Sequence, residues 1–336
     1  MHLRLTSLLR CFCLVLSSVL VGCTSERPAH SESTHIVTFY VNGAVHTQRT
    51  VEHGDTVPPP LPPQLPNLLF DAWTSAPNGG FDYDFSVPVT SDLNLYASYV
   101  PDAISITNEI TTNRIRAVVQ VENTSYNDKK LLGFVIDRKD VTGGTGSGVI
   151  IGIEGNTAYM LTNCHVAAVK DGREHVELTV VDYRGNRYAA SYYRAQSYAS
   201  AIDPTYDLAL LTFRFDSSEP LLALELAASD PEREQHVIAV GHPKGQSNAI
   251  AYGRAVDYRP ISLQDTTPTQ SDVKFNVLRH NAFIDNGSSG GPLLNTDLQI
   301  AGINYASTDS ETFTFAYAIP SSRVREFLQQ YGYLKE

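Results

Sequence analysis

The sequence is short of positive charge. Lys and Arg number 25 against 36 Asp and Glu, giving a formal net charge of −11 over 336 residues. Nucleic-acid binding depends on clustered cations that neutralise phosphates. Neither a basic stripe nor an aromatic-interleaved basic patch is present, so no nucleic-acid partner is expected. Cysteine is scarce: four residues, at positions 11, 13, 23 and 164. No paired-cysteine, His-Glu-x-x-His or calcium-loop spacing occurs, so no metal is expected. No Gly-Lys-Ser/Thr phosphate loop occurs, and no cofactor is expected. Long hydrophobic runs are missing too. The most apolar stretch, residues 11–21, is too short to span a bilayer comfortably. What remains is globular: 42% hydrophobic and 18% charged residues, in a length that suggests two domains.

The N-terminus reads as a targeting segment. Arg4 and Arg10 precede the apolar run, which ends in Leu20-Val21-Gly22-Cys23. This resembles a bacterial lipoprotein signal, cleaved before a cysteine that then carries lipid. An ordinary secretory peptide, or a short uncleaved anchor, is the other reading. On the lipoprotein reading residues 1–22 leave, Cys23 is the lipidation site, and the net charge becomes −13 (−11 less two Arg). Thr24 stands where an aspartate usually retains such proteins in the inner membrane. The resemblance therefore implies an outer-membrane location in the cell envelope, on the periplasmic or the surface face. Cys164 then remains alone, so no intramolecular disulfide is expected. Residues 23–33 are polar and read as a flexible tether.

Residues 34–100 form a separate unit. Residues 35–41 alternate as a strand before an Asn42-Gly43 turn, and residues 92–99 alternate as another. Residues 58–66 are proline-rich and must be extended. The unit resembles the Listeria–Bacteroides (internalin-type B) repeat. The matching pieces are Val37-Thr38-Phe39, Asn42-Gly43, Gly54, Val57-Pro58, Phe70, Trp73, Asp84-Phe85, Val89-Thr90-Ser91-Asp92 and Leu95-Tyr96-Ala97. Ala44, Ala72 and the extra prolines depart from its pattern. The resemblance implies a small β-grasp-like module acting as a spacer or as a contact for an envelope protein. Residues 101–107 read as a linker.

From residue 108 to 336 the pattern changes to short β-type runs separated by Gly-rich turns: 114–121, 131–136, 148–153, 157–162, 176–183, 207–215, 237–240, 249–257, 273–284, 298–305 and 312–319. This predicts an all-β barrel or sandwich. One helix is predicted at the end, capped by Ser321 or Ser322, with Val324, Phe327, Leu328 and Tyr331 on one face. Three settings within this region carry chemistry. Ser289 sits centrally in Gly287-Ser288-Ser289-Gly290-Gly291-Pro292. His165 follows a strand in Leu161-Thr162-Asn163-Cys164-His165-Val166. Asp207 opens the apolar run Leu208 to Leu211. Each alone has a plain structural explanation as turn, strand end or cap. Together, in the order His, Asp, Ser with gaps of 42 and 82 residues, they match a known order for a nucleophile, its base and an orienting acid.

With those residues in hand, 108–331 resembles a trypsin-fold serine peptidase of the HtrA (Deg) branch. Further matching pieces, in family order, are Gly144-Thr145-Gly146-Ser147-Gly148, Gly241-His242-Pro243, Gly302-Ile303-Asn304 and Ala316-Tyr317-Ala318-Ile319-Pro320. The resemblance implies a mainly β fold, a trypsin-like double β-barrel behind the small β-grasp-like module. It implies Ser289 as nucleophile, His165 as base and Asp207 as orienting acid, with the N–H groups of Gly287 and Ser289 as oxyanion hole. Gly290 and Gly291 leave room beside the nucleophile. Phe283 and Ile284 fall at the start of the specificity-pocket floor, and Tyr305, Ala306 and Ser307 at its wall. With no acid at the floor, small or medium apolar side chains are expected before the scissile bond of a polypeptide substrate. Cys164 departs from the family's usual Asn or Ala and reads as a small buried residue. Ser288 replaces the aspartate that pairs with a freed N-terminus in digestive relatives, so activation by that route is not expected. The rival reading is a peptidase fold that has lost turnover and serves as a binding or adhesion lipoprotein.

Overall fold

The computed structural model describes residues 33–77, 80–194, 200–216, 218, 220–242, 249–261, 271–283, 287–308 and 315–335. Cys23 and Ile284 lie outside the described residues. The N-terminal module is a four-stranded sheet of β1 (Thr34–Val41), β2 (Ala44–Glu52), β3 (Leu68–Thr74) and β4 (Leu93–Pro101), in the order β2-β1-β4-β3. Asn42 and Gly43 both take positive φ, 49° and 77°, the geometry a two-residue hairpin turn demands. Alternate side chains of β1 and β4 point to one face. Val37, Phe39, Val51, Trp73 and Leu95 are buried there. The proline-rich segment lies along this sheet and contributes acceptors only. Trp73 Nε1, Tyr99 Oη and Arg49 Nη1 donate to the carbonyls of Pro60, Pro63 and Pro58.

The stretch expected to be a linker is not slack. Asp102 caps helix α1 (Ala103–Thr112) by accepting the Ser105 N–H at 3.1 Å. Ile106 and Ile110, one turn apart, are fully buried in the core of the unit that follows. Burying each contributes about 1.5–3 kcal/mol. A single 3₁₀ turn over Arg114–Ala117 leads from α1 into the first barrel.

That barrel comprises β5 (Val118–Leu131), β6 (Phe134–Glu154), β7 (Thr157–Thr162), β8 (His175–Val181), β9 (Arg187–Tyr192), β10 (Ile202–Asp203) and β11 (Leu208–Arg214). The order β11-β7-β6-β5-β8-β9 closes through a β9–β11 pairing, and β10 adds to the outer edge of β11. The second barrel is closed by β12 (His236–Gly241), β13 (Ala249–Pro260), β14 (Asn276–His280), β17 (Phe315–Pro320), β16 (Ile300–Thr308) and β15 (Pro292–Leu294), in that order around the ring. The run 131–136, expected as one strand, is the tip of a hairpin, with a turn at residues 132–133 between two strands. β5 ends at Leu131, β6 begins at Phe134, and Leu132 and Gly133 bridge them with φ of 52° and 85°.

Helix α2 (Cys164–Ala167) is one turn after β7, and α3 (Ser321–Gln330) closes the chain against both barrels. α3 buries Val324, Phe327 and Leu328. Its cap comes from elsewhere than expected. Asp230, far away in sequence, accepts the Ser322 N–H at 2.8 Å and both the Ser321 and Ser322 hydroxyls. A carboxylate at a helix start also suits the helix dipole. Gln330 and Tyr331 donate to Asp203 of the first barrel, so α3 straps the two barrels together.

Candidate active site

The first barrel carries an acid–base pair. β7 ends at Thr162 and the chain turns through Asn163 into α2, which places His165 at the barrel mouth. Asp207 stands just before β11, the neighbour of β7 in the sheet. It is fully buried and holds φ at 49°. Such left-handed backbone costs a non-glycine residue of order 1–3 kcal/mol and collects at functional sites. Asn163 Nδ2 donates to the Asp207 carbonyl at 2.9 Å, which fixes this turn. The carboxylate then meets His165 twice: Oδ2 lies 2.6 Å from Nδ1, and Oδ1 accepts the His165 backbone N–H at 2.8 Å. Burial pushes the Asp207 carboxyl up, while the His165 ring and the His165 and Cys164 N–H groups hold it down. Each of those donors favours the anion. With Nδ1 so engaged, Nε2 is left to face a nucleophile. Lys170 Nζ donates to the His165 carbonyl at 2.8 Å, fixing the same turn from its other side.

The second barrel carries the serine. Residues 287–291 form the turn before β15, with Gly287 at φ 98° and Gly290 at 88°. Among the described residues, neither the Gly287 nor the Ser289 N–H donates to a protein acceptor. Ser289 Oγ donates to the Tyr305 carbonyl at 3.4 Å and makes no bond to His165. The turn is pinned to the first barrel by Ser147 of β6. Its N–H donates to Ser289 O at 2.8 Å, its Oγ donates to Gly287 O at 2.8 Å, and the same Oγ accepts the His242 N–H at 2.9 Å. Gly290 and Gly291 do not leave room as expected; they permit contact. A β-carbon on Gly290 would lie 2.2 Å from Ser147 O, and one on Gly291 2.5 Å from Val240 O.

His165, Asp207 and Ser289 thus converge where two barrels meet. Residues 146–303, which contain all three, match the family model of the trypsin-like peptidase domain. The chain carries a trypsin-like peptidase domain. Residues 35–98 ahead of it match the Listeria-Bacteroides repeat domain. Serine protease HTRA2, mitochondrial, of Bos taurus is 33% identical over 193 residues, 57% of this chain and 37% of that protein. Serine protease Do-like HtrA of Bacillus subtilis is 32% identical over 197 residues, 57% of this chain and 40% of that protein. The match therefore spans well under half the length of these relatives. The Rv3671c protease from M. tuberculosis, in its active form, shares the fold with a TM-score of 0.50 at 22% identity, over 69% of this chain and 88% of that one.

Around the peptidase site, the expected pocket residues separate. The Tyr305 side chain turns inward: it is 1% exposed, its hydroxyl lies 3.1 Å from Ser271 Oγ, and its ring meets the His165 ring edge-on. Burial pushes its phenol up to about 12. Its offering to the cleft is main chain, because a ring of that size fills the barrel interior. Ala306 is half-buried, while Ser307 and Phe283 are exposed. Ser288 is buried beneath Gly241. Cys164 is buried as well, and burial holds its thiol far above the usual range, which makes it unreactive. Ser147, Lys170 and Asn163 were not singled out by sequence reasoning. Ser147 lies in the Gly144–Gly148 motif, and that glycine frame was the signal available. Apart from the site, Asp128, Glu174 and His175 bring ligand atoms within 4.8 Å of one another at the surface.

Proposed function

We propose that this chain is a lipid-anchored serine endopeptidase of a bacterial cell envelope. The observation that carries the reading is the buried Asp207 carboxylate, bonded to both the ring and the backbone of His165, at the barrel junction that holds Ser289. On substrate binding, Ser289 Oγ leaves its long bond to Tyr305 O for His165 Nε2. It attacks the scissile carbonyl and its proton passes to His165, whose cation Asp207 stabilises. The carbonyl oxygen, now anionic, takes the N–H groups of Gly287 and Ser289. His165 returns the proton to the departing amine, leaving an acyl-enzyme, and water repeats the sequence to release the acid. No metal or cofactor enters. Polypeptide is the substrate, cut after small or medium apolar side chains, because the sequence carries Phe283 rather than an acid where the family's pocket floor begins.

Lipid on Cys23 places the enzyme at the outer membrane, with the repeat module between anchor and peptidase. That module is a spacer in this reading, and an envelope protein can contact it. A second reading rests on one observation, the bond of Ser289 Oγ to Tyr305 rather than to His165. It makes the chain a silent peptidase fold that binds without cutting. A fluorophosphonate probe separates the two. The enzyme reading expects labelling of the wild type and none of Ser289→Ala; absence of labelling on folded wild type supports the binding reading. Cleavage after Lys or Arg in a peptide library would overturn the pocket assignment. A palmitate analogue that fails to label the wild type in cells would overturn the anchor.

A further inference from the structure

The β5–β6 hairpin does something no catalytic reading needs. β8 pairs with β5 only as far as Tyr126 opposite His175. Beyond Tyr126 the two strands continue alone to their turn, so five residues of β5 project by roughly 15 Å. A two-stranded ribbon of this kind is marginal in water unless something covers it. Its tip is apolar and bare. Leu132 is 90% exposed and Phe134 75%, and Leu131, Val135 and Ile136 are each more than half exposed.

The turn itself breaks a local rule. Both of its residues hold positive φ, and such turns select Asn, Asp or Gly because other side chains are strained there. Gly133 fits; Leu132, at φ 52°, does not. A leucine there is strained and touches nothing, so it stabilises nothing within this chain. Places where a sequence violates its own local preferences in this way are expected to be functional.

The arrangement favours one kind of occupant. Leu131 and Phe134 oppose each other on one face of the ribbon, Val135 lies on the other face, and Leu132 crowns the end. A groove on a protein would cover one face and leave the other wet. A medium that surrounds the tip on every side satisfies all of them. Lys130 stands opposite Val135, and just behind the apolar tip come Lys129, Arg138 and Lys139, with Asp137 the one acid among residues 129–139. Asp128 stands directly opposite Arg138 and its carboxylate lies 3.8 Å from Lys130 Nζ, while Arg138 is turned to Glu177. Residues 128–139, the collar of the tip included, still carry four cations against two acids, in a chain whose net charge is −11. Long basic side chains at the edge of a buried apolar segment reach to anionic headgroups.

We propose that the tip of the β5–β6 hairpin, Leu131 to Ile136, inserts into a membrane surface bearing anionic lipid. The proposal does not depend on Ser289 being a nucleophile or on lipid at Cys23. Its test is local to the tip, so a leader or anchor elsewhere on the chain does not mimic it. Phe134→Trp in the full chain adds an exposed indole, while the native Trp73 is buried in the module. With vesicles of phosphatidylglycerol and brominated phosphatidylcholine, the added emission should shift to the blue and be quenched by the brominated chains. Adding Leu132→Asp should lower tip partitioning by about 100-fold and restore the solvent-exposed emission, because a charge replaces a large apolar side chain. Thermal unfolding of both variants should match the wild type, since neither side chain is packed. Unshifted emission with every vesicle overturns the proposal. A blue shift that needs no vesicle and grows with protein concentration also overturns it, and assigns the tip to a second copy of the chain. Equal quenching in purely zwitterionic vesicles overturns the role given to the basic collar.

Discussion

The two barrels bring unequal halves to one site. The first offers His165 and Asp207 already joined, with the acid sealed from water and three further contacts holding the turn. The second offers Ser289 on a turn whose hydroxyl makes a single long bond, to a main-chain carbonyl of its own barrel. The acid–base half is held by its own hydrogen bonds. The half that carries Ser289 is held largely by the neighbouring barrel, through Ser147 and the contact at Gly290. Alignment of the serine is thus a property of the junction between the barrels, while alignment of the histidine is a property of one barrel.

Perturbations of the two halves should separate this way. The largest effect is on chemistry itself: Ser289→Ala should lower kcat about 10⁶-fold, and Asp207→Asn about 10⁴-fold, in a peptide-hydrolysis assay. Equal losses from both would erase the distinction drawn between reacting and orienting groups. Next comes Gly290→Ala, which adds a β-carbon 2.2 Å from Ser147 O at a positive φ. It should cost about 3 kcal/mol or more in urea unfolding. Full stability in that variant would show that the barrels do not meet as tightly as described.

Acid should then act on the second barrel first. Burial lowers His242 to about 4 and His280 to about 3, and both belong to that barrel. In an unfolded chain both titrate near 6.5, so between pH 6.5 and 4 the unfolded state binds more protons. Stability fully present above pH 6.5 is therefore lost as the pH falls, by about 2 kcal/mol for each histidine between pH 7 and 5. Hydrogen exchange should show β12 and β14 losing protection before β7 and β11; the reverse order would contradict the assignment. The smallest effect is Ser147→Ala. It removes the bond to Gly287 O and should reduce kcat about 5–10-fold with KM little changed, in line with about 1 kcal/mol for one hydrogen bond. His165 should keep its geometry in that variant, which the ring's NMR signals would report.

How much of this was legible beforehand follows from what kind of interaction each residue makes. The all-β character was legible because alternation and Gly-rich turns are local signals, while the division into two barrels came from the family resemblance. The His165, Asp207 and Ser289 settings were legible because glycines and strand ends mark them in the sequence itself. Ser147 was not, because its hydrogen bonds to the serine turn and to His242 join it to positions 95 or more residues away. The Asp230 cap escaped for the same reason: two serines at the helix start read as sufficient, and nothing local points to an acid 91 residues earlier. Strand β9 was missed because its alanines blur the alternation of a half-exposed strand. Tyr305 read as pocket wall from its motif position, but the size of its ring sends it into the interior. Residues 101–107 read as a linker because their apolar members are few. Ile106 and Ile110 become informative only once the core they enter is known.

That last helix changes what counts as the catalytic body. The recognisable pattern starts at residue 146, yet the interior it depends on includes two isoleucines some forty positions earlier. The segment that matches the peptidase family and the segment that fills the peptidase's interior are therefore different. A chain cut just ahead of residue 113 would keep every reacting group and lose part of its floor. The module ahead of the cut keeps a core of its own around Phe39, Trp73 and Leu95, while α1, which follows it directly, belongs to the interior of the barrels.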